Sequence, residues 1–145
     1  MAYVSLDSDQ IKKAHKKHKY TKEQVEKLEK CMDPKTGPLF FMKTFMKIQH
    51  PVKGSVKFEP YPYQERLIES YNNHRFSIAM LPRQTGKTTC ASGFLIWYAM
   101  FRPDSQILIA AHKYAGASDI MSRVRYAYEM LPSWIKAGVT QYNRN

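Results

Sequence analysis

The chain has 145 residues, 43% of them hydrophobic and 24% charged, with a formal net charge of +11. That length is one domain's worth, able to bury roughly two-thirds of its unfolded surface. No apolar run approaches the roughly 20 residues of a membrane span, and Asp7 and Asp9 interrupt the N-terminus before any signal-peptide core forms. The charge excess points to a polyanionic partner, nucleic acid first, because a nucleotide alone would not need so much. Cys31 and Cys90 lie far apart with no Cys-x-x-Cys pairing, which fits reduced thiols in a cytosolic compartment.

Residues 1–20 read as a basic flexible arm, since Ile11–Lys19 holds five lysines, two histidines and no acid. Such a block cannot bury enough apolar surface to order itself. His15 and His18 have a spacing compatible with a metal ion, but their cationic neighbours oppose one. Residues 21–60 read as a helical N-terminal subdomain. Thr21 and Gln24 form a capping box, Val25, Leu28 and Met32 follow at helical spacing, and Pro34 and Gly37 stop the helix. Pro38 starts a second helix through Leu39–Ile48, and Ser55–Phe58 is a short strand after the His50–Gly54 turn.

From Tyr61 onward the pattern changes. Pro62 suits the first turn of a helix through Asn73, and Gln64 offers a donor and an acceptor together, which matches an adenine edge with Tyr61 or Tyr63 beside the ring. An apolar run, Phe76–Leu81, then leads into Pro82-Arg83-Gln84-Thr85-Gly86-Lys87-Thr88-Thr89 and an apolar helix from Lys87 to Phe101. Strand, Gly-Lys-Thr turn, helix is the context a phosphate-binding loop requires. Gly86 permits positive φ, Lys87 reaches the outer phosphates, and the Thr88 hydroxyl can ligate Mg²⁺. Gln106–Ala111 is a second apolar strand, making a parallel βαβ unit with His112 and Lys113 at its carboxyl end. A third helix, Ala115–Met130, places Ile120, Val124, Ala127 and Leu131 on one stripe. The expected fold class is therefore α/β, an incomplete P-loop NTPase-type parallel sheet preceded by an α-helical N-terminal segment.

These residues resemble the large terminase subunit of tailed bacteriophages, the ATPase that packages DNA into capsids, and the T4-type members above all. The likeness runs from about Thr21 onward, through Tyr63-Gln64, Arg83-Gln84-Thr85-Gly86-Lys87-Thr88-Thr89, Ala111-His112-Lys113 and Glu129-Met130-Leu131-Pro132. The family's deviant loop accounts for Leu81 where a small residue is usual. The resemblance implies ATP and Mg²⁺ as cofactors. Tyr63, Gln64 and the run Arg83–Thr89 would bind the nucleotide, with Lys87 catalytic and Arg83 a finger acting in cis on the γ-phosphate. It also implies double-stranded DNA, the portal protein, the small subunit and the remainder of the large subunit as partners, with no membrane. The full-length protein would form a ring on the procapsid portal in the host cytoplasm.

One element of that family is missing. After Lys87 the acids are Asp104, Asp119 and Glu129, and none follows an apolar strand as a Mg²⁺-holding Asp and water-activating Glu would. Residues 61–145 are thus expected to be the first part of a P-loop ATPase domain, ending before that strand. An N-terminal piece of this kind binds nucleotide weakly and turns over little or none. Two other classes compete. A superfamily-two helicase or restriction-type translocase also opens with Tyr-Gln, but its loop is richer in small residues than Arg83-Gln84 allows. A non-enzymatic basic DNA-binding module with an idle loop is the second.

Overall fold

The computed structural model describes residues 11–15, 17–50 and 52–140. Within them the chain is mixed α and β. Helices α1 (Lys22–Met32) and α2 (Gly37–Phe45) are followed by a hairpin of β1 (Lys47–His50) and β2 (Gly54–Lys57). Then come α3 (Pro62–Asn73), α4 (Lys87–Phe101) and α5 (Tyr114–Glu129). No helix among the described residues is long and apolar enough to cross a membrane.

The helices start where local chemistry tells them to. Thr21 Oγ1 accepts from the Gln24 N–H at 3.3 Å while Gln24 Oε1 accepts from the Thr21 N–H at 3.0 Å, satisfying two donors at the start of α1. Asp33 ends that helix. Its carboxylate accepts from the Lys35 and Thr36 N–H groups and the Thr36 hydroxyl, bonds that hold its pKa below the usual carboxylate value. The buried side of α1 carries Cys31 and Leu28, whereas Val25 and Met32 of the expected stripe face solvent. The true stripe is offset because the contact is made by Cys31, one residue before Met32.

Helix α4 is the centre of the molecule, packed against α2, α3 and α5. It is apolar nearly all round because it is surrounded. Its Trp97 is fully buried and donates from Nε1 to the Cys31 carbonyl oxygen at 2.8 Å, satisfying an orphan acceptor at the end of α1. Around it lie Phe41, Met42, Ile68, Cys90 and Ile96, each nearly or fully buried. Burying such side chains is worth about 1.5–3 kcal/mol apiece. Gly93 allows the closest approach: a Cβ there would stand 2.5 Å from both Met42 Cε and Met46 Sδ. The face of α5 that packs on the core bears the expected residues, with Ala127 and Leu131 buried and Val124 half-buried beside them.

Beyond α5, Trp134 meets the edge of Phe45 at 5.5 Å between ring centroids, and Tyr128 donates its hydroxyl to the Ala137 carbonyl at 2.7 Å. The following segment ties down the basic N-terminal stretch. Val139 N–H donates to Lys12 O at 2.8 Å and Ala14 N–H donates to Val139 O at 3.3 Å. The rest of the basic arm, residues 1–10 and Lys16, lies outside the described residues.

Two expectations are corrected. The second helix does not run to Ile48; it stops at Phe45, and Lys47–His50 pair antiparallel with Gly54–Lys57 instead. Gly54 at φ 68° makes the turn, and Ile48 opposite Val56 gives the hairpin an apolar contact that helix extension would forfeit. The parallel sheet is also not formed: this hairpin is the one sheet among the described residues, and neither Phe76–Leu81 nor Gln106–Ala111 is a strand. A strand exists only through a neighbour that takes its backbone groups. No described segment lies along these two, and Ile78 and Leu108 are left 97% and 91% exposed.

Candidate functional site

The turn between Leu81 and α4 has the local geometry of a phosphate cradle. Gly86 stands at the N-cap of α4 with φ 74°, and Gln84 also takes the left-handed conformation at φ 64°. Two such residues close together curl the chain so that successive N–H groups converge, the concavity in which anions settle. The first N–H groups of α4 have no partner inside the helix, and the helix adds its positive end at the same point. Gly86 is required twice over, by its φ and by space: a Cβ there would lie 2.5 Å from Gln64 Nε2.

Lys87 lies back across the turn. Its ammonium donates to Pro82 O at 3.1 Å and to Leu81 O at 3.5 Å, so the cation spans the mouth of the loop from within. Thr85 Oγ1 donates to Pro82 O at 3.0 Å, tightening the same turn. Thr88 and Thr89 begin the helix and are half-buried, while Arg83 and Gln84 are exposed. No hydrogen bond or ion pair of Arg83 is formed among the described residues, which leaves its guanidinium free to turn.

Helix α3 holds the loop from the other side. Gln64 is buried, with Oε1 accepting from the Tyr61 N–H at 3.0 Å and Nε2 donating to Thr85 O at 3.0 Å. The Tyr63 hydroxyl donates to the same Thr85 carbonyl at 2.9 Å. The Tyr-Gln pair is therefore a clamp on the loop backbone. Of the amide's capacity, one N–H and one lone pair remain for a nucleobase. The rings of Tyr61 and Tyr63 stack 6° from parallel with centroids 5.8 Å apart, and Tyr61 presents its outer face to solvent. The structure thus brings Tyr63, Gln64, Thr85, Gly86 and Lys87 together and leaves Arg83 and Gln84 at the rim. The carbonyls of Leu81, Pro82 and Thr85 are the participants that sequence reasoning missed, because a backbone acceptor carries no residue signature.

The donor set fits a phosphate. For a divalent cation the fit is narrower: among the described residues no three His, Cys, Asp or Glu side chains group together, so Thr88 would share Mg²⁺ with nucleotide oxygens and water. His112 and Lys113 are exposed just ahead of α5, with Lys113 at its N-cap. The buried thiols of Cys31 and Cys90 are pushed up to about 12 and about 11 by desolvation and are inert.

Comparison with known families bears on the same segment. Residues 78–145 match the family described as terminase large subunit, T4likevirus-type, N-terminal. The match covers Arg83–Thr89 and α5, while Tyr63 and Gln64 lie upstream of it. Over residues 78–145, just under half of its length, the chain is thus similar to the N-terminal part of the T4likevirus-type terminase large subunit.

Proposed function

We propose that this chain is the ATP-binding portion of a viral DNA-packaging motor. The family match over residues 78–145 supports the coarse function, a terminase that packages phage DNA. One observation supports the finer one: Lys87 is held across a turn with left-handed Gln84 and Gly86, at the N-terminus of a 15-residue helix. In this reading the loop N–H groups and Lys87 hold the β- and γ-phosphates, and Thr88 shares Mg²⁺ with them. Tyr61 and Tyr63 flank the base, and the remaining polar atoms of Gln64 meet an adenine edge. Arg83, exposed beside the loop, swings onto the transferring phosphoryl and neutralises developing charge. ATP hydrolysis in the motor drives double-stranded DNA, and the net charge of +11 suits contact with that polyanion. The portal protein and the small subunit are the expected protein partners.

The test is equilibrium binding of a fluorescent ATP analogue with Mg²⁺ to the wild type beside Lys87→Ala. Loss of the tighter, Mg²⁺-dependent binding phase in the variant, at unchanged far-ultraviolet circular dichroism, supports the proposal. Equal binding in both proteins, or none in either, sinks it.

A further inference from the structure

A cavity of about 620 Å³ lies against α4, between the β1–β2 hairpin and α5. Of the loop run Arg83–Thr89 only its last residue, Thr89, lines the cavity, and Gly86, Lys87 and Thr88 take no part. Its volume is that of a small-molecule site. At its base is Ser92, 1% exposed, whose hydroxyl has no hydrogen-bond partner. Buried hydroxyls are almost always paired, and an unmade bond costs roughly 1–3 kcal/mol. A hydroxyl left orphaned at the base of a cavity is accounted for if the partner is a ligand.

The walls say which ligand. Met46, Ile48 and Ala127 give the lining an apolar part, and Tyr126 lines it as well. Strand β1 pairs with β2 along one edge, and Phe58 N–H bonds Met46 O at 3.0 Å. Alternation along an antiparallel ladder then turns the N–H and C=O groups of Lys47 and Gln49 to the outer edge, where both residues line the cavity. Such an edge offers a donor and an acceptor at fixed spacing, the pairing a planar heterocycle with mixed ring atoms accepts. At the mouth stand Lys47, His50 and Arg123. Their acidic neighbour Asp119 accepts from Arg123 Nε at 3.1 Å, leaving the outer guanidinium nitrogens to an anion.

We propose that this cavity is a second binding site, bordering the phosphate loop at Thr89 but not using Gly86, Lys87 or Thr88, that takes a mononucleotide. The base lies between the apolar wall and Tyr126, edge-on to β1 with Ser92 as a further bond, and the phosphate rests on Arg123 and Lys47. A peptide strand is a poorer occupant, because β1 is four residues long and offers two outward-facing residues. The proposal stands whether or not the loop binds ATP.

The experiment titrates the full isotope-labelled chain with dAMP, followed by NMR shifts and calorimetry. Shifts are expected at Ser92, Gln49 and Tyr126, with Lys87→Ala binding as the wild type does. Ser92→Ala weakens binding roughly five-fold through one lost hydrogen bond, while the urea midpoint of the free protein stays level or rises. Arg123→Gln weakens dAMP roughly ten-fold through a lost charge-assisted bond and leaves adenosine unchanged. Absence of shifts at millimolar dAMP overturns the assignment. So does binding abolished by Lys87→Ala, or binding indifferent to both Ser92→Ala and Arg123→Gln. A short oligodeoxythymidylate that displaces dAMP in an Arg123-dependent way would also overturn it, in favour of a nucleic-acid strand.

Discussion

Two apolar regions of this chain meet opposite fates. The run within α4 is mostly enclosed: Trp97 and Cys90 are fully buried against α2, α3 and α5, while the Tyr98–Ala99 side meets solvent. The stretches 76–81 and 106–111 are as apolar, yet Phe76, Ile78, Met80 and Leu108 are 82%, 97%, 94% and 91% exposed. A helix satisfies its backbone alone and needs only side-chain partners. A strand needs another strand before its side chains can be buried. Apolar composition predicts a demand for burial, and only topology says whether the demand is met.

That contrast can be broken by experiment. Trp97→Ala should cost the most, about 3–5 kcal/mol for a buried large aromatic, because it also orphans the Cys31 carbonyl; a urea unfolding curve measures it. A loss below one kilocalorie would mean that α4 is not the centre. The core thiols give a pH signature. Burial raises Cys31 and Cys90 from an ordinary 9.0 to about 12 and about 11. The unfolded chain therefore releases those protons first, so stability is intact below pH 9 and falls as pH rises from there toward 11. A Cys31→Ala, Cys90→Ala double variant should show a shallower decline in urea midpoint over that window.

Gly93→Val forces two methyls against Met42 and Met46 and should cost about 1–3 kcal/mol by overpacking. Gly86→Ala should cost about 1–2 kcal/mol for a left-handed alanine, and its Cβ also displaces the Gln64 amide, 2.5 Å away, from its bond to Thr85. Smallest of all are Ile78→Thr and Leu108→Thr, within about 0.5 kcal/mol as expected of fully exposed positions. If either costs more than 2 kcal/mol in the isolated chain, these stretches are paired in solution and the contrast fails. Adding a partner that supplies strands would sharpen it, by making the same two substitutions expensive.

What was legible in the sequence is what local rules control. The Thr21–Gln24 box, Pro62 at the first turn of α3, and Gly86 ahead of α4 each fixed a helix start from a few adjacent residues. The loop's membership of a cluster with Tyr63 and Gln64 was also visible as an expectation, though the bonds from Tyr63 and Gln64 to the Thr85 carbonyl were not. The hairpin was half seen. Ser55–Lys57 carries turn signals before it, but Lys47–His50 continues an apolar helical pattern, and only the cross-strand register decides against the helix. The exposed stretches show the same limit from the other side. Val25 and Met32 likewise lie at helical spacing, yet the packing direction of α1 is set by Trp97, 66 positions from Cys31.

The bonds from Lys87 to the carbonyls of Pro82 and Leu81 set a rule of exchange for whatever enters the loop. An ammonium cannot keep its own backbone acceptors and serve an incoming group at full strength, so arrival is a trade of one set of bonds for another. A neutral nucleoside offers the lysine nothing to trade for, whereas each added phosphate raises the offer. If the loop takes a nucleotide as proposed, that resting contact acts as a filter on charge, and the loop should rank ligands by how many negative oxygens they bring before it ranks them by base.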